Sequence, residues 1–73
     1  MRNDSEILRR IGLRIKELRL EKGISQEYLA GKSGVDRTFI GGLERGKRNV
    51  SVLTLCEIAH ALQIEIVDLI RRC

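Results

Sequence analysis

The chain has no proline and no tryptophan, and its 73 residues include one tyrosine, one phenylalanine, one histidine and two cysteines. Each scarcity removes a class. Without proline, every helix boundary must be set by glycine and by polar caps. Cys56 and Cys73 are too few for a disulfide framework or a four-ligand zinc site. Cys56 and His60 stand four apart, a spacing that metal ligands use on a helix, but no third ligand accompanies them and no metal is expected. A single histidine, a single tyrosine and no glycine-rich phosphate loop supply no nucleophile, base and orienter, so neither catalysis nor a cofactor is expected. Two aromatic rings are too few for the stacking surfaces of RNA-binding proteins. No apolar run approaches the ~18 residues of a membrane span, and the charged start is no signal peptide, so the expected location is the cytoplasm. What is left is a binding module.

What is present is basic charge in one place. Formal net charge is +4. From Arg9 to Arg48 eleven basic residues face five acidic, whereas from Asn49 to Cys73 two face three. A polyanion should therefore dock on the first two-thirds of the chain. The length makes one domain, residues 1–73, burying about 60% of its unfolded surface, a size that often gains stability by pairing with a copy of itself.

Periodicity predicts an all-α domain of five helices. Ile7, Leu8, Ile11, Ile15 and Leu18 form one stripe of a first helix from about Ser5 to Lys22, capped by Asp4 or Ser5 and closed by Gly23. Gly12 lies on that stripe, where another helix should cross closely despite the ~1 kcal/mol that interior glycine costs. A second helix runs from Gln26 to Lys32 behind N-cap Ser25. A third runs from Arg37 to Arg45 between N-cap Asp36 and Gly46. A fourth, from Val52 to Leu62 behind Ser51, buries Val52, Leu55, Ile58 (or Ala59) and Leu62. A short fifth covers Ile66 to Arg72.

The stretch SQEYLAGKSGVDRTFIGGLERGKRN, Ser25 to Asn49, carries the most information. Leu29 faces the core, Ala30 allows a close crossing, Gly34 supplies the positive φ of a tight turn, and Ile40 and Leu43 seal the second short helix onto the first. That set, at about 25–45, is the spacing of a helix-turn-helix. In such a unit the second helix enters the major groove and its first residues meet base edges. Arg37 and Thr38 come first. The arginine fork matches guanine O6 and N7, with a phosphate or a nearby carboxylate as its other possible partner. Phe39 has two places open to it, the core or a thymine methyl in the groove. Asp36 is expected to cap the helix. Gly41 and Gly42, costly inside a helix, imply that backbone lies close to something, either DNA or helix one or two. Gln26 opens a helix whose free N–H groups attract phosphate. Arg45, Lys47, Arg48 and Asn49 follow the third helix, where flanking phosphates would lie. Glu44, beside this patch, should form a salt bridge with Arg14 or Arg19.

Ile64, Ile66, Val67, Leu69 and Ile70 put five apolar residues into seven positions. One face of a short helix cannot bury them all, so helices four and five, about 51–72, are expected to form a homodimer interface, with Cys73 as a free thiol.

Taken together, these residues resemble the Cro/C1-type helix-turn-helix family over about Ile11 to Ile70, including EIAHALQI. VDRTFIGGLERGKRNVS is similar, more narrowly, to controller proteins of restriction–modification systems. The resemblance implies a lambda-repressor-like fold and a dimeric transcriptional regulator binding an inverted-repeat operator in double-stranded DNA. Controllers time expression of the endonuclease, activating at low dose, with RNA polymerase as a further partner, and repressing at high dose. The family's base and phosphate contacts match Arg37, Thr38, Arg48 and Asn49, and its backbone contacts match Arg19 and Gln26. Phe39 stands where the family usually has tyrosine, and Gly41 where it commonly has serine. A phage-type repressor would share the mechanism; an antitoxin occupying a toxin would belong to another class.

Overall fold

The computed structural model describes residues 4–71. Among them it forms α1 (Asp4–Glu21), α2 (Gln26–Ser33), α3 (Arg37–Glu44), α4 (Val52–Ala61) and α5 (Val67–Ile70), with no strand. None of these helices is long and apolar enough to cross a membrane.

The starts follow from hydroxyl and carboxylate caps. Ser25 Oγ accepts from the Tyr28 amide at 2.9 Å, Asp36 Oδ1 from the Phe39 amide at 2.8 Å, and Ser51 Oγ from the Thr54 amide at 3.1 Å. Each satisfies one of the donors that a helix N-terminus leaves open. Asp4 and Ser5, the two residues expected as caps of α1, are both already helical.

The ends use a left-handed residue. Gly34, at φ 75°, turns the chain between α2 and α3 while the Val35 amide reaches back to the Ala30 carbonyl at 3.1 Å. The same motif closes α4, but there the left-handed position is Gln63, at φ 60°. Its amide donates to His60 O and that of Ile64 to Ala59 O, both at 3.0 Å. A side chain in that conformation carries strain that glycine would not.

The core joins Ile11, Ile15 and Leu18 of α1 to Leu29, Ile40, Leu43, Leu55, Ile58, Leu62 and Leu69. α1 and α2 both pack on α3, α2 also packs on α4, and α5 rests on α1. Gly12 is where α1 meets α3: a Cβ there would overlap the Leu43 carbonyl oxygen. The close crossing read from the sequence is therefore backbone against backbone.

Two readings need correction. Val52 is 69% exposed, and Leu53 beside it 79%. Periodicity places Val52 on the stripe of Leu55 and Ala59, but the stripe gives only a direction, and burial along it begins at Leu55. α5 is shorter than read, starting at Val67 with no side-chain cap, while Arg72 lies outside the described residues. Of the five apolar residues near it, Leu69 is fully buried in the core, and Ile64 and Ile66 pack partly against it. Val67 and Ile70 remain 48% and 42% exposed.

Candidate nucleic-acid interface

The α2–turn–α3 unit presents the start of α3 outward. With Asp36 consumed as the cap, Arg37 and Thr38 are the first two helical residues and both are exposed. Arg45, Lys47, Arg48 and Asn49, on the loop after α3, are exposed as well. The structure thus places base-reading and phosphate-binding candidates at the two ends of one eight-residue helix.

Phe39 divides its ring between two uses. It is partly buried against the core, while the Arg48 guanidinium lies 4.9 Å from the ring centroid. That distance is within cation–π range. The stack depends on Gly42, since a Cβ there would lie 2.5 Å from Arg48 Cγ. At Gly41 a Cβ would come 3.3 Å from Arg45 Nη1 and 3.7 Å from Gln26 Oε1. Gly42 therefore makes room for the Arg48 stem folding back along α3, while at Gly41 the Arg45 guanidinium passes close and the Gln26 side chain lies at ordinary contact distance. Of the two neighbours the sequence leaves open, DNA and helix one or two, α2 supplies one through Gln26. A pairing between Arg48 and Phe39, nine residues apart and outside any helical repeat, left no signal to find.

Arg19 lies at a buried junction between α1 and α3. Expected to touch the DNA backbone, it is buried, and its side chain is only 10% exposed. Its Nε and Nη2 grip Glu44 Oε2 and Oε1 at 2.7 and 3.1 Å, and its Nη1 donates to the Ile24 carbonyl at 2.9 Å. Three of its five N–H donors are thus used in tying α1 to α3 and to the turn that follows α1. Glu44 thus finds Arg19, one of its two expected partners. Arg14 instead donates to the Asp68 carbonyl at 3.0 Å, fixing α5.

Gln26 is half-buried at the first position of α2. Its Nε2 donates to Glu44 Oε1 at 2.9 Å, and its Oε1 accepts from Arg37 Nη1 at 3.2 Å. An amide nitrogen carries two hydrogens, so one stays available to a phosphate beside the open N–H groups of α2. Elsewhere, Cys56 is exposed on α4, and Cys73 lies outside the described residues.

Two short capped helices joined by a left-handed glycine, the second leading with arginine and followed by a basic loop, define a DNA-binding helix-turn-helix. The chain belongs to the helix-turn-helix family, whose profile matches residues 15–69. Within that family it is similar to controllers. The crystal structure of the restriction-modification controller protein C.AhdI from Aeromonas hydrophila superposes with a TM-score of 0.83 at 52% identity, covering 85% of this chain and 94% of that one. The control protein C.MunI of Mycoplasma is 43% identical over 68 residues, 92% of this chain and 89% of its own. An uncharacterised HTH-type transcriptional regulator of Sinorhizobium fredii is 42% identical over 60 residues, 82% and 78% of the two chains.

Proposed function

We propose that this protein is a sequence-specific transcriptional regulator of a restriction–modification system, a controller that acts as a homodimer on its own operator and on the endonuclease gene. The observation that carries the DNA-binding reading is the exposed Arg37–Thr38 pair at the capped start of α3, with Lys47, Arg48 and Asn49 behind it. The likeness to C.AhdI and C.MunI supports the controller role. Arg37 and Thr38 read base edges. Phe39, its ring partly exposed, touches a thymine methyl or sugar while supporting Arg48. Gln26, Lys47, Arg48 and Asn49 bind phosphates and set register.

The homodimer forms through α4 and α5, where Val67 and Ile70 lie exposed beside the half-buried Ile64 and Ile66. A two-fold dimer presents two copies of α3 to one face of the duplex, so the half-sites are inverted and about one turn apart, roughly 10 base pairs. When the protein activates, RNA polymerase is its partner at the promoter.

Selection of binding sites from random duplexes by the wild-type chain tests this reading. An enriched inverted repeat with that spacing is the expected product; direct repeats or no enrichment would refute it.

A further inference from the structure

Four side chains from three helices make one hydrogen-bonded chain beneath the reading edge: Arg19 of α1, Glu44 of α3, Gln26 of α2 and Arg37 of α3. Its polarity runs one way. Glu44, buried and gripped by the Arg19 guanidinium, offers acceptors only. Gln26 must therefore turn its amino group inward to Glu44, which leaves its carbonyl oxygen pointing at Arg37. A reversed amide would present N–H donors to a guanidinium that has no acceptor.

We infer that Glu44 is a positioning residue for sequence reading: acting through the Gln26 amide, it holds the Arg37 guanidinium in the orientation from which it meets a base. This rests on the assignment of Arg37 to base reading. The contact uses one hydrogen of Nη1, at 3.2 Å. The other donors of the guanidinium stay free for a two-pronged contact with guanine O6 and N7. Arg37 is exposed, and a long side chain with nothing to hold it must be ordered at the moment of binding. An anchor formed in the free protein removes part of that cost for the correct base alone.

The test compares affinities for duplexes that differ only at the base pair read by Arg37. It uses the full-length chain and the variants E44Q, Q26M, E44Q/Q26M and R37A, each first shown to unfold cooperatively. The wild-type preference at that pair is expected to be roughly 5- to 150-fold. E44Q should cut it about threefold or more. Preference at other base pairs should stay, and affinity for random duplex should not fall, because a negative charge near phosphates is gone. Q26M should cut the preference equally, and the double variant no further. If E44Q does not fold, Q26M carries the test, since it leaves the Arg19–Glu44 pair intact.

A merely structural Glu44 would weaken every duplex alike and leave the preference unchanged, which would overturn the inference. Loss of preference in R37A together with its retention in E44Q and Q26M would sink the inference alone. Retention in R37A would remove base reading by Arg37 and the inference with it.

Discussion

Adding one methyl group at Gly12 should loosen the domain even though alanine is the better helix former. Relative to glycine, alanine in a helix interior gains about 1 kcal/mol. Against that gain, the new Cβ would overlap the Leu43 carbonyl oxygen and lie 2.9 Å from its carbonyl carbon and 3.2 Å from that of Glu44. These are backbone atoms and cannot swing aside, so α1 and α3 must part. A gap of half an ångström to one ångström forfeits about a quarter of the dispersion well or more for each pair of facing atoms. Ile11, Ile15, Ile40 and Leu43 are all buried in this core, and each fully buried aliphatic side chain contributes roughly 1.5–3 kcal/mol. Overpacking of this kind typically costs about 1–3 kcal/mol, and the parted helices add to it. The net expectation for Gly12→Ala is about 1–4 kcal/mol of destabilisation, or a fall in Tm of at least ~4 °C. Urea unfolding followed by circular dichroism, at one fixed protein concentration because a dimer's stability depends on it, measures this. Gly31→Ala is the control: nothing lies within 4 Å of a Cβ there, and about 1 kcal/mol should be gained. A Gly12→Ala protein as stable as the wild type would refute the backbone crossing.

Gln63→Gly relieves the one non-glycine positive φ among the described residues. After the entropy cost of glycine it should stabilise by about 0.5–1 kcal/mol in the same assay. Arg19→Ala strands Glu44 in the interior and should cost about 3–5 kcal/mol, whereas Arg19→Met combined with Glu44→Leu should recover most of it; equal losses in both would place the cost elsewhere. Val67→Asp should convert a dimer to monomers in sedimentation equilibrium. Its effect on monomer stability should stay within about 0.5 kcal/mol, because Val67 is half exposed; a wild type monomeric at high concentration would sink the dimer instead. Arg48→Ala should weaken specific and random duplexes alike and flatten the salt slope by about one unit; loss confined to the specific duplex would make Arg48 a base reader.

Features fixed by local chemistry were legible before the structure. Ser25, Asp36 and Ser51 announced three helix starts, Gly34 the turn between α2 and α3, and Gly12 the close crossing, each through a steric or hydrogen-bonding need of its own backbone. The rest depends on which neighbour arrives from far along the chain. Arg14 and Arg19 read as equal candidates to pair with Glu44, and only the packing of α1 on α3 selects Arg19, 25 residues away. Gly42 reads as a weak point in a helix until the Arg48 stem is seen crossing it. Val52 fits the α4 stripe as well as Leu55 does, and only the reach of the packed core, which covers Leu55 and leaves Val52 exposed, separates them. The candidate site was legible as a set of exposed polar positions, but the hydrogen bonds that bring Gln26 to Arg37 and Glu44 were not, because an amide can donate or accept in either direction.

Binding-site selection on Arg37→Ala, run beside the wild type, tests the central claim that the start of α3 reads sequence. The wild type should enrich a guanine at the same place in each half-site, worth about 1–3 kcal/mol per site. The alanine variant should lose that preference while its affinity for random duplex stays nearly intact, and Arg37→Lys should restore charge but only part of the preference. An unchanged guanine in the sites chosen by Arg37→Ala would contradict the account and pass the reading role to Thr38 or Phe39.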